Sequence, residues 1–141
     1  MNKNFIFFLI IGIGFGIISC GGSDSLTSTS AETTESLSGN GVFIVAGLSG
    51  NILKSTDKAS SFDNATSSTS KNLYEVEFGN STFVVTGDNG TIVRSTDNGS
   101  SFDTINTPTL NTLFGVGFGN NIFTAVGISG SIVKSTDDGT T

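Results

Sequence analysis

The chain has 141 residues, room for one small domain, and carries 6 basic against 12 acidic residues, a net charge of −6. Its cations are few and never clustered in the body of the chain, which excludes a phosphate-binding surface and with it nucleic acid as a partner. With 19 Gly, 1 Pro, 12 Phe and no Trp, the composition favours short strands joined by tight turns, so an all-β fold is expected.

The N-terminus stands apart from the rest. After "MNKN" comes an uninterrupted apolar run, Phe5 to Ile18, of the length of a signal-peptide core and too short for a membrane-spanning anchor, so residues 1–19 are expected to form a signal helix for export. The run ends in "IISC", Ile17 to Cys20, with a small residue before the single cysteine. These four residues resemble the lipobox of bacterial lipoproteins, with Ile17 in place of the commoner Leu. The resemblance implies cleavage after Ser19 and acylation of Cys20. A lone thiol in an exported chain has no internal disulfide partner, and a thioether to lipid gives it a use; the alternative is an ordinary secretory signal with an incidental cysteine. Two or three acyl chains anchor stably where one is marginal. Loss of residues 1–19 would remove Lys3 and leave 5 basic and 12 acidic residues, a net charge of −7 that anionic lipid would not attract. The expected place is the bacterial cell envelope, the outer membrane or cell surface ahead of the inner membrane.

Residues 20–40, after Cys20 "GGSDSLTSTSAETTESLSGN", hold almost no apolar side chains and read as a Ser/Thr-rich disordered tether. The competing reading is a degenerate first strand, because Asn40 stands where the Gly-Asn pair of the later repeats stands.

From residue 41 the chain repeats with a period of forty. "LYEVEFGNSTFVVTGDNGTIVRSTDNGSS" from Leu73 matches "LFGVGFGNNIFTAVGISGSIVKSTDDGTT" from Leu113 at about half of its positions, and a stretch from Ser38 joins them in its later part. The repeats span about 33–72, 73–112 and 113–141. In the first strand of a unit Tyr74, Val76 and Phe78 alternate with Glu75 and Glu77, which predicts one buried and one solvated face. The second strand ("FIVAG", "FVVTG", "FTAVG") is apolar throughout and belongs inside a sheet. The third ("NILKS", "TIVRS", "SIVKS") runs into Ser-Thr-Asp. Gly-Asn, Asp-Asn-Gly or Ser-Gly, and a second Asp-Asn-Gly supply the three turns of a four-stranded meander. Such sheets side by side make a partial β-propeller of about two to three blades over residues 41–141.

The turn after the third strand resembles the Asp-box of BNR repeats in sialidase-like propellers, Ser-x-Asp-x-Gly-x-Ser/Thr-aromatic. The matching residues are Ser95, Asp97, Gly99, Ser101 and Phe102 in the complete copy, Ser55 and Asp57 in the first, where Ala59 replaces Gly, and Ser135, Asp137 and Gly139 in the third. The acid is expected to accept hydrogen bonds from its own turn and the aromatic to plug the blade edge, a structural role. The whole unit also resembles the repeats of photosystem II stability/assembly factor propellers, which implies an assembly scaffold.

Enzyme chemistry finds little support. Sialidases are implied to need an arginine cluster, and this chain has only Arg94, whose position recurs as Lys54 and Lys134 along a strand. No His is present to act as base or metal ligand, and Glu75 with Glu77 reads as a solvated strand face. The turn from Asp97 to Asp103 lacks the oxygen spacing of a calcium loop, so no metal, cofactor or catalytic residue is expected. Strands of five or six residues are too short for an outer-membrane barrel. The expected function is a lipid-anchored binding or scaffold module for protein or glycan, the alternative a non-catalytic remnant of a carbohydrate-active propeller. With one complete unit and two partial ones, either the reading frame is truncated or copies self-associate to complete the ring.

Overall fold

The computed structural model describes residues 17–21 and 41–140, and within them the chain is almost entirely β. Three units stack along the sequence. The first comprises β1 (Ile17–Gly21), β2 (Val42–Ala46), β3 (Ile52–Ser55) and β4 (Asp63–Ser67). The second comprises β5 (Leu73–Gly79), β6 (Thr82–Gly87), β7 (Ile92–Ser95) and β8 (Ser101–Ile105). The third comprises β9 (Leu113–Gly119), β10 (Ile122–Gly127) and β11 (Ile132–Ser135). Each unit is an antiparallel meander, as the turn chemistry predicts, and the units stack as blades of a partial propeller.

The register repeats with the sequence. Phe43, Phe83 and Phe123 pair with Ser55, Ser95 and Ser135 in turn, so each second strand meets its third strand identically. The hairpin turns linking first to second strands are Asn80-Ser81 and Asn120-Asn121, all four at positive φ, as a right-handed hairpin twist requires. The glycine of each expected Gly-Asn turn is the last residue of a strand instead. A second difference lies at the outer edge, where β4 and β8 pair in parallel through Thr66–Ser101 and Ser67–Phe102 and join the first two units into one eight-stranded sheet.

Two cores lie in the seams between units. The first holds Val42, Ile44, Ala46 and Ile52 of unit one against Leu73, Val76, Phe83, Val85, Val93 and Phe102 of unit two. The second holds Val84 and Ile92 of unit two against Leu113, Val116, Phe123 and Ala125 of unit three. Alternate residues of β6 therefore serve different seams, Phe83 and Val85 one and Val84 and Thr86 the other, and all of Thr82–Gly87 is buried. Burial on both faces explains the unbroken apolar run of the second strand.

The same stacking overturns the expected solvated face of β5. Glu77 is 7 % exposed and Glu75 is half-buried, because both lie on the face that unit three covers. Alternation here marks two seams and not one seam and water.

At the N-terminus, Ile17 to Gly21 pair antiparallel with β2, Cys20 opposite Phe43. The strand occupies the inner place that β5 and β9 hold in their units. The end of the expected signal helix is thus extended, in keeping with the β-branched pair Ile17-Ile18. The rest of that signal, residues 1–16, and most of the expected tether, residues 22–40, lie outside the described residues.

Candidate functional site

Because every strand runs from one rim of the stack to the other, the turns sort into two groups. One rim carries the first-to-second strand hairpins and the Ser-x-Asp turns. The opposite rim carries the turns Leu48–Gly50, Asp88–Gly90 and Ile128–Gly130, together with the loops that lead into β5 and β9.

The Ser-x-Asp rim is bound up with itself. In the complete copy the Ser95 hydroxyl donates to Asp97 Oδ1 at 2.7 Å and accepts the Gly99 N–H at 2.9 Å, while Asp97 Oδ1 also accepts the N–H groups of Ser100 and Ser101. Ser101 closes the turn with its hydroxyl on Asp97 Oδ2 at 2.6 Å. The first copy repeats this through Ser55, Asp57, Ala59 and Ser61, and the third through Ser135, Asp137 and Gly139. The backbone N–H of Ser61, with the Ser55 and Ser61 hydroxyls, lowers the Asp57 carboxyl from 3.8 to about 2. Burial works against ionisation of Asp97, yet the bonds from Ser101, Ser95 and Ser100 outweigh it and hold that carboxyl well below the usual carboxylate range.

These turns also lock unit to unit. Gly99 and Gly139 stand at positive φ against the preceding unit; a Cβ on Gly99 would collide with Ile44, and one on Gly139 would lie 2.9 Å from Val84 Cγ2. Ala59, φ 63, holds the matching place in unit one, the unit with none described before it. The cations of the first two third strands reach the next unit's turn: Lys54 Nζ donates to Ser100 Oγ at 2.9 Å, and Arg94 Nε to the Asp138 carbonyl at 2.6 Å. Sequence periodicity marks this position, but what the cation touches lies in the following unit and is invisible along one strand.

The opposite rim is different. Of the seven large apolar side chains exposed in the described residues, four belong to it, Leu48, Leu110, Phe114 and Ile128, while Val126 and Ile132 stand where Thr86 and Ile92 stand in unit two, on the face of unit three that no described unit covers. Leu110 is 85 % exposed. At its centre Tyr74 and Phe114 meet with ring centroids 5.1 Å apart. The Tyr74 hydroxyl donates to Asp88 Oδ1 at 2.7 Å, and the Asn72 amide donates to Asp88 Oδ2 at 2.9 Å. Tied to the Asp88 carboxylate and partly withdrawn from water, the Tyr74 hydroxyl titrates above its usual range. A fixed aromatic pair with a carboxylate beside it, ringed by exposed aliphatic side chains, suits docking of a polypeptide and offers no nucleophile and base in partnership.

Glu75 and Glu77 do not form a working carboxylate pair. Glu75 Oε2 accepts the Val116 N–H at 2.8 Å across the second seam, where Gly115 leaves room for it, and Glu77 Oε1 accepts the Phe78 N–H at 3.0 Å. Burial raises both above the ordinary glutamate range. Cys20 lies in β1.

No family model matches the chain, and no curated protein matches it in sequence. Among solved structures it is similar to a chain described as YCF48 bound to D1 peptide, with a TM-score of 0.61 and 18 % identity over 71 % of this chain. This chain spans about a third of that one, 34 % of its length. The likeness shows the fold: this is a partial β-propeller, as the repeats imply.

Proposed function

We propose that the chain is a non-catalytic, envelope-anchored binding module that docks a protein partner on the rim around Tyr74 and Phe114. The observation that carries the reading is the gathering of Leu48, Leu110, Phe114 and Ile128, all exposed, at that rim around Tyr74, while the Ser-x-Asp rim spends its polar groups on its own turns. YCF48 bound to D1 peptide shares the fold, which supports a peptide as the kind of ligand such blades accept. Anchoring through lipid on Cys20 rests on the "IISC" sequence after the apolar run. Cleavage after Ser19 would take three of the five β1 residues and free that edge of β2.

A peptide array probed with the full chain tests the reading. Peptides with apolar residues are expected to bind, and Leu110→Asp with Phe114→Asp to weaken them at least tenfold while the thermal midpoint holds. Undiminished binding by that variant, or retention by a glycan array alone, would remove the assignment. For the anchor, a fatty-acid label should mark the wild type and vanish in Cys20→Ala.

A further inference from the structure

The turn Asp88–Gly90 differs from its counterparts in one side chain. The turns Leu48–Gly50, Asp88–Gly90 and Ile128–Gly130 share a backbone: Ser49, Asn89 and Ser129 stand at φ 57, 53 and 56, and the N–H groups of Asn51, Thr91 and Ser131 close the turns on the carbonyls of Leu48, Asp88 and Ile128. Leucine and isoleucine take the first position in units one and three, so the turn itself has no need of an acid. Asp88 belongs to the middle unit and is flanked by a unit on each side.

The network that holds its carboxylate draws on all three units. The Ser49 N–H of unit one donates to Asn72 Oδ1 at 3.0 Å, and the Asn72 amide donates in turn to Asp88 Oδ2 at 2.9 Å. The Tyr74 hydroxyl reaches Asp88 Oδ1 at 2.7 Å, and the Thr112 hydroxyl of unit three reaches the same oxygen at 3.4 Å. Asn72, Tyr74 and Thr112 are neutral donors, so a negative charge is oriented at the rim with no cation against it among the described residues. Lys54 and Arg94 are engaged at the other rim, and Lys71, in the loop before β5, is exposed and gives Asp88 no bond. A carboxylate has about four lone-pair sites, which leaves room for a further donor. Asp88 is also partly buried, and a charge there attracts its opposite more strongly than in open water.

Beside the carboxylate stand the rings of Tyr74 and Phe114, and the loop that leads to Phe114 exposes Leu110. A guanidinium matches this set of groups: it is planar and stacks on aromatic rings, its N–H fork fits a carboxylate, and its methylene stem lies on apolar side chains.

We propose that the polypeptide docked at this rim presents an arginine, whose guanidinium stacks on the Tyr74–Phe114 pair and bonds to Asp88, with an apolar neighbour on Leu110. The proposal rests on the rim being the docking surface and adds the charge and identity of the residue recognised.

Tyr74 is the single tyrosine of the chain, which has no tryptophan, so tyrosine fluorescence reports this site directly. The test titrates the full chain with four synthetic peptides, acetyl-Gly-Leu-X-Leu-Gly-amide, in which X is arginine, lysine, norleucine or glutamate. The arginine peptide is expected to perturb the emission and to bind about tenfold more tightly than the norleucine peptide at low salt. That advantage should shrink as salt is added, and the glutamate peptide should bind most weakly. Asp88→Asn keeps an acceptor for the network and removes the charge, and Asp88→Leu copies the turn of unit one; each should abolish the preference for arginine. Equal affinity for the arginine and norleucine peptides, or a preference that survives both variants, would overturn the proposal. In that event a norleucine peptide whose affinity falls in the Leu110→Asp, Phe114→Asp double variant would leave the docking rim standing. Absence of binding by all four peptides up to millimolar concentration would remove both.

Discussion

The two seams carry equivalent side chains at equivalent register and yet differ in how well they close. Between units one and two, Phe102 fills the space behind Ile44 and Ile52, and the parallel pairing of β4 with β8 shuts the outer edge. Between units two and three the same space is open among the described residues, and the seam also holds two carboxyl groups and a buried hydroxyl, Thr86 Oγ1, with no hydrogen-bond partner among those residues. The contrast shows that a few polar substitutions change what an interface buries, although the repeat itself is nearly constant.

Opening the closed seam should have the largest effect. Phe102→Ala is expected to lower stability by about 3–5 kcal/mol, the usual loss for a buried phenylalanine, and to make the first seam resemble the second. Chemical denaturation measures it, and a loss below about 1 kcal/mol would mean that Phe102 does not account for the difference between seams. Tightening the open seam should act the other way by less. Thr86 is matched by Ala46 and Val126 in the other units, so an apolar side chain suits this position, and Thr86→Val should raise stability by about 1 kcal/mol by removing an unsatisfied buried hydroxyl. A lowered denaturation midpoint would show that the hydroxyl has a partner in solution.

The smallest expected effect is a pH dependence whose two limbs belong to different regions. Glu75 and Glu77, at the open seam, have folded-state pKa values above the ordinary 4.5, so their contribution is fully present below that pH and lost as pH rises through the raised values. Asp57 and Asp97, in the Ser-x-Asp turns, are depressed, so theirs is present above the ordinary 3.8 and is lost as pH falls towards 2. Stability should therefore rise on mild acidification from neutrality and fall again below about pH 4. Glu77→Gln should flatten the first limb and Asp97→Asn the second; thermal midpoints measured across pH 2–8 that keep both limbs in these variants would break the assignment.

Much of the architecture was legible along the chain. The forty-residue period, the hydroxyl-acid-glycine turns and the Phe-led second strand are local features whose hydrogen bonds close within four residues, as Ser95, Asp97 and Ser101 show, so short-range sequence determines them. What tertiary structure alone decided lies across the seams, between residues some forty positions apart. Period-two alternation reports that a strand has two faces and cannot report what covers the second, which is why Glu75 and Glu77 read as solvated and prove to be half-buried and buried, respectively, against unit three. The rim of exposed apolar side chains draws on loops from all three units and becomes a surface only when they stack. Likewise Gly99 and Gly139 read as turn glycines, but their second requirement, closeness to Ile44 and Val84, is set by a neighbouring blade. Local chemistry dictates each blade, and the burial of both its faces depends on which neighbours it meets.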